Sequence, residues 1–192
     1  MVLRSLFLVL LLPAMAFAER EYNWEKLEGC TLAQGWQDGD SFTVRIRPRT
    51  FRVFRLYFVD TPEDGADKRF PERIKEQADY FGVSPDRVVK IGDQAAAYTR
   101  MLLSQKPFVV YTLWQDALGA SKKQRFFAMI EIEIGGEPRW LSSALIGEGL
   151  ARIYGKRIQL PCGTSSREYL AMLDALERSA KASKKGGWAL LK

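Results

Sequence analysis

The chain has 192 residues, 47% of them hydrophobic, enough for one domain with a real core; its 29 Lys and Arg outnumber 23 Asp and Glu, for a formal net charge of +6. It has no histidine, which excludes Ser-His-Asp and Cys-His nucleophile pairs, imidazole bases and His-ligated zinc; the two distant cysteines do not make a structural zinc site either. The positive balance attracts phosphate backbones and acidic surfaces without specificity.

The first eighteen residues read as a secretory signal peptide. Arg4 supplies a positive start, Ser5 to Pro13 an apolar run, and Ala16-Phe17-Ala18 a small-x-small cleavage site. The other reading is a membrane anchor, but Leu6 to Ala18 falls short of the ~20 apolar residues needed to span a bilayer. The expectation is a mature chain 19–192, secreted or periplasmic, monomeric and off the membrane after cleavage, with Arg4 gone and the charge reduced from +6 to +5. Cys30 and Cys162 suit an oxidising compartment. A bridge between them would close a loop of roughly 130 residues, worth about 4–5 kcal/mol in the chain-entropy model; two free thiols are the alternative.

A strand region is expected from about Trp24 to Gln37, followed by turn chemistry at Asp38-Gly39-Asp40. Alternation through Phe42, Val44 and Ile46 predicts a strand over 42–49, and the hydrophobic run from Phe51 to Val59 predicts another over 51–60. Pro62 cannot donate to a ladder and stops it. Asp40, Asp60 and Glu63 thus lie at element ends, near Arg55, where carboxylates can hold a hard cation facing an anionic substrate. Oxygen ligands favour calcium or magnesium. Strict alternation, however, puts Arg55 and Asp60 on opposite faces, so convergence needs a strong twist, a bulge, or a strand that ends before Asp60.

Residues 64–92 read as a charged, partly helical insertion, with Phe70, Ile74, Ala78 and Phe81 at helical spacing between Pro71 and Gly82. Asp93 is expected to cap a helix running to about Ser104. Strands are predicted over 107–114 and 125–134, and a short helix over 142–148 that Gly149 ends. Ser165 and Glu168 form a capping box for the last helix, which turns Leu170, Leu173 and Leu176 inward. With no linker, this order predicts a single α+β domain over 19–192: a small Greek-key barrel of about five strands with about three packed helices.

The segments DGD at 38–40, RLYFVDTPE at 55–63, RFFAMI at 125–130, EGLARIY at 148–154 and KKGGWAL at 184–190 stand in a fixed order. Together they resemble the staphylococcal nuclease (thermonuclease) family, from about Trp24 to Leu190. The resemblance implies an OB-fold, with Asp40, Asp60 and the Thr61 carbonyl as ligands of one calcium ion, magnesium being the lesser choice. It implies Glu63 as general base or water-orienting group, and Arg55 and Arg125 as the two arginines that bind the phosphoryl group. The implied substrates are DNA and RNA, cleaved by water to leave 3′-phosphate ends. Among the family's substrate contacts, Lys122 matches a lysine, but Lys123 and Gly155 stand where tyrosines belong; Tyr154, one residue away, is the candidate substitute.

Taken singly, these residues have plainer readings: Asp40 as a turn cap, Asp60 and Glu63 as a solvated strand end, Arg55 and Arg125 as surface cations. The insertion could shape a substrate groove or pad the fold. Arg45, Arg47, Arg49 and Arg52 form either a backbone-tracking ribbon or the solvated face of a hairpin. At the level of the whole protein, the alternatives are a catalytically inactive OB-type module that binds nucleic acid, and an oligosaccharide-binding or interaction domain.

Overall fold

The structure is a computed structural model that describes residues 22–63, 71–118 and 124–190. The expected signal peptide and Lys122 lie outside the described residues.

Five long strands close into a barrel. Strand β1 (Glu25–Gln37) pairs antiparallel with β2 (Ser41–Arg47) on one side and with β5 (Phe108–Asp116) on the other. Strand β2 pairs with β3 (Thr50–Leu56), and β5 with β6 (Phe126–Ile134). A parallel pairing of β3 with β6, at Phe54↔Phe126 through Leu56↔Ala128, closes the ring and leaves no free edge there. Inward positions carry the core, including Phe42, Val44, Phe54, Leu56, Val110, Ala128 and Ile130, all buried. Beyond β6, Gly135 and Gly136 both take positive φ, as a two-residue hairpin turn requires. They lead into β7 (Glu137–Trp140), a short strand of mostly exposed residues that has no clear alternation to announce it.

Two short strands complete the set: β4 (Val59–Asp60) pairs antiparallel with β8 (Arg152–Ile153) outside the barrel sheet. The helices are α1 (Pro71–Phe81), α2 (Pro85–Gln105), α3 (Leu141–Gly147) and α4 (Ser166–Ala182). The expected α+β barrel with packed helices is therefore the observed fold: α2, α3 and α4 are the three packed helices, and α1 is the helical part expected within 64–92.

Helix α2 begins two turns earlier than expected. Ser84 takes the cap position, Pro85 supplies the first turn, and Val88 and Ile91 extend the buried stripe back from Ala95. Asp93 is an exposed mid-helix residue and caps nothing at that helix start. At α4 the capping box forms as read, with Ser165 and Glu168 satisfying each other's backbone N–H groups. The chain then ends in a 3₁₀ turn (Gly186–Leu190) whose Trp188 ring packs 4.8 Å from that of Phe81, tying the tail to α1. No helix among the described residues is long and apolar enough to cross a membrane.

The Cys30–Cys162 bridge is absent. Cys30 points into the barrel from β1, its thiol 3.4 Å from the Leu27 carbonyl, whereas Cys162 is exposed in the turn before α4, 3.3 Å from Thr164 Oγ1. One thiol belongs to the core and the other to the surface, so no bond joins them.

Candidate active site

The alternation problem at Arg55 and Asp60 is solved by a break in the strand. Strand β3 stops at Leu56, Phe58 adopts φ 70°, and β4 restarts on β8 with Asp60 opposite Arg152. A left-handed conformation at a bulky residue costs of order 1–3 kcal/mol and persists only where its surroundings impose it. Here they do: Phe58 N–H donates to the Lys156 carbonyl at 3.0 Å, its carbonyl accepts from Tyr154 N–H at 2.9 Å, and its ring packs edge-on against Tyr169. The reversal turns Asp60 back towards Arg55.

Asp40 arrives from the β1–β2 turn. Its carbonyl accepts from Leu56 N–H at 2.9 Å and its Oδ1 from Ser41 Oγ at 3.0 Å. One face of α2 backs both acidic loops. Thr99 Oγ1 donates to the Gly39 carbonyl at 2.8 Å, and a Cβ at Gly39 would lie 2.8 Å from the Thr61 side chain and 2.9 Å from Ala95 Cβ. A Cβ at Gly92 would collide with the Glu63 carbonyl. Glycine at 39 and 92 is what allows turn, helix and corner to approach this closely.

At the centre, Arg55 Nη2 lies 2.7 Å from Asp60 Oδ1 and 2.9 Å from Asp40 Oδ2, joining the two aspartates. The second of these contacts is ionic rather than a hydrogen bond, because Asp40 Oδ2 has no donor in hydrogen-bond geometry. Asp60, fully buried, receives three further donors. Arg73 from α1 bonds Oδ1, while Arg152 Nε and Gln77 Nε2 reach Oδ2 at 2.8 and 3.0 Å. Arg73 Nε also pairs with Glu63 Oε1 at 2.7 Å. Gln77, itself fully buried, accepts from Glu63 N–H at 3.0 Å and donates to the Thr61 carbonyl at 3.1 Å as well. A single amide thus fastens Asp60, Thr61 and Glu63. Arg152 is held from behind by Glu76 at 3.2 Å, and its guanidinium lies 4.2 Å over the half-exposed Tyr154 ring.

These surroundings move the two aspartates in opposite directions. Burial is the largest influence on each. At Asp40 burial wins over the single close cation Arg55, and the carboxyl is raised above its ordinary value. At Asp60 burial is outweighed by Arg73, Arg55 and Arg152 together with the Gln77 hydrogen bond, and the carboxyl is held below it. Arg125, buried just ahead of β6, donates to the Leu118 carbonyl at 3.1 Å. Burial lowers its pKa, and the neighbouring Arg55 cation lowers it further.

Residues 53–190 match the family described as staphylococcal nuclease homologue. The chain belongs to that family. The matched span holds Arg55, Asp60, Thr61, Glu63, Arg125 and Tyr154; Asp40 lies ahead of it. A search among curated proteins gives no match. Of the residues named from the sequence of this staphylococcal nuclease homologue, Asp40, Arg55, Asp60, Thr61 and Glu63 gather at one barrel corner. Arg125 is close enough for the charges of Arg55 and Asp40 to act on it. Tyr154 stands at the edge of the corner against Arg152, and Lys122 is outside the described residues. The β2–β3 arginines 45, 47, 49 and 52 remain on the exposed hairpin.

Arg73, Gln77 and Arg152 went unread. The signal for the first two was present: they sit four apart on α1, next to the buried stripe of Ala78 and Phe81, and so share a face. Arg152 lies within EGLARIY at 148–154, but nothing local distinguishes it from a surface cation. Helix α1, within the segment expected as an insertion, thereby supplies two side chains to the corner.

The oxygen set suits a hard cation in its chemistry. Asp40 Oδ2 and Thr61 Oγ1 are buried acceptors that take no hydrogen bond among the described residues. No three Asp, Glu, Cys or His side chains cluster as a metal centre among the described residues, so an ion here rests on two aspartates and backbone or hydroxyl oxygen. At Asp60 such an ion meets competition, because each carboxylate oxygen already faces two donors.

Proposed function

We propose that the protein is an exported, calcium-dependent nuclease, secreted or periplasmic, which hydrolyses phosphodiester bonds of DNA and RNA by attack of water and leaves 3′-phosphate ends. The meeting of Asp40, Asp60, Arg55 and Glu63 at one corner supports this reading most. Glu63 accepts the proton of the attacking water or orients it, with its backbone held by Gln77. Arg55 and Arg125 present planar forks, each able to bind two phosphoryl oxygens and to stabilise the charge that grows there in the transition state. Asp40, Asp60 and the Thr61 carbonyl hold one calcium ion, which when bound supplies positive charge against the phosphate and makes a neighbouring water more acidic. Attack by water needs no 2′-hydroxyl, so DNA and RNA both serve. Tyr154, half exposed beside Arg152, offers a face on which a base can stack, worth about 1–3 kcal/mol, and Lys122 a phosphate contact.

The test is digestion of single-stranded and duplex DNA by the purified protein with calcium, with magnesium and with chelator, alongside Glu63→Ala and Arg125→Ala. Calcium-dependent cleavage is expected, with each substitution costing roughly 10²–10³ in rate. No cleavage in any metal, with gel-shift binding intact, sinks the nuclease and leaves a nucleic-acid-binding module.

A further inference from the structure

Four donors converge on Asp60, and its two oxygens have no lone pair to spare: Arg55 and Arg73 take Oδ1, Arg152 and Gln77 take Oδ2. A divalent ion can bind this carboxylate only if one donor leaves. The four differ in how easily they can. Gln77 is fully buried and makes three hydrogen bonds to the corner. Arg152 has a side chain only 4% exposed and is held by Glu76 and the Tyr154 ring, so it cannot swing out to water. Arg55, 14% exposed, is anchored to Asp40 from within β3. Arg73, at 34% exposure, stands on the outer helix α1 and reaches the corner from its rim. Its guanidinium can swing to water while Asp60 keeps Arg55, Arg152 and Gln77.

Arg73 also stands where a metal ion would act. One guanidinium bridges Asp60 Oδ1, the proposed ligand, and Glu63 Oε1, the proposed base, pairing with both. We infer that Arg73 is a tethered counter-cation which a divalent ion must displace from Asp60, so that helix α1 sets the metal affinity of the site. The inference rests on the reading that Asp40, Asp60 and Thr61 hold such an ion. Guanidinium and ion repel at contact distance and compete for the same lone pairs, so removing the guanidinium strengthens metal binding. Displacement also takes the Arg73 guanidinium away from Glu63, so metal binding changes the charge beside the proposed base.

Calcium titration calorimetry on the wild type, Arg73→Met and Arg73→Lys tests this without reference to activity. Arg73→Met should bind calcium about tenfold tighter or more, and Arg73→Lys, which keeps the charge but not the two-carboxylate fork, should fall between. Calcium binding by Arg73→Met where the wild type shows none supports the inference equally. Should the wild type bind calcium and Arg73→Met bind it no tighter, the competition is overturned while the metal reading stands. Calcium binding by none of the three overturns both. A second measurement needs no variant to fold: calcium should raise phenylglyoxal modification of Arg73 in the wild type, read by mass spectrometry. Unchanged modification at saturating calcium contradicts displacement.

Discussion

The β1–β2 turn and the β3–β4 corner each bring one buried aspartate to the same guanidinium, yet the two carboxyls ionise in opposite senses. Asp40 contacts Ser41 and Arg55, and burial, helped by the neighbouring Asp60 charge, raises its pKa. Asp60 is no more exposed, but three arginines and a glutamine face it, and its pKa is lowered. The difference teaches that at equal burial the number of donors decides whether a carboxylate burdens the fold or supports it. The supporting side is the one to which α1 and β8 contribute.

Asp60→Asn offers the hardest test of that contrast. It removes the anion on which Arg55, Arg73 and Arg152 converge, and should cost about 3–5 kcal/mol of unfolding free energy in chelator, read by denaturant titration. A loss under about 1 kcal/mol would mean the arginines find other partners and the corner is not held by charge. Gln77→Leu comes next, keeping approximate size while deleting three hydrogen bonds to Asp60, Thr61 and Glu63. It should cost about 2–3 kcal/mol, since it leaves the Glu63 N–H buried without that acceptor. Stability equal to wild type would show that the amide is incidental.

Asp40→Asn should act in the opposite direction and more weakly, raising the melting temperature in chelator, because it removes a buried charge that the fold disfavours. The pH dependence sharpens this. Asp60, with its folded pKa below the unfolded value, contributes stability that is present above about pH 4 and lost as pH falls through the folded value. Asp40, raised, does the reverse: stability is recovered as pH falls from neutrality through its folded value towards about 4. The advantage of Asp40→Asn over wild type should therefore shrink between neutral pH and about pH 4; an advantage that grows on acidification contradicts the assignment.

The smallest effect is expected at the cysteines, where burial differs without any charge. Burial pushes the Cys30 thiol up to about 11, while Cys162 is exposed. A thiol reagent at neutral pH should label Cys162 quickly and Cys30 only on unfolding, and a reductant should leave the melting temperature unchanged. A melting temperature that drops in reductant would restore the bridge.

Much of this molecule was legible from local pattern. Alternation in β2, the capping box of α4 and the order of DGD, RLYFVDTPE and RFFAMI act over a few residues, so periodicity, turn chemistry and motif spacing carry them directly. Asp93 can cap a helix, but the buried stripe that Val88 and Ile91 extend behind it carries the start of α2 back to Ser84. The Arg55–Asp60 conflict could be posed from alternation but not resolved, because the positive φ at Phe58 is imposed by partners at Tyr154, Lys156 and Tyr169.

Sequence alone thus determined which side chains are available for chemistry: carboxylates and arginines, most of them within the span that matches the staphylococcal nuclease homologues, and no imidazole to compete with them. Only the tertiary structure decided how those charges are shared. Arg73 and Gln77 lie 13 and 17 residues beyond Asp60, and Arg152 lies 92 beyond it. Coulomb energy and hydrogen bonding depend on separations of a few ångströms that chain distance does not encode. The packing of α1, α2 and β8 around one corner sets those separations, and makes Asp60 the anion the fold is built to hold.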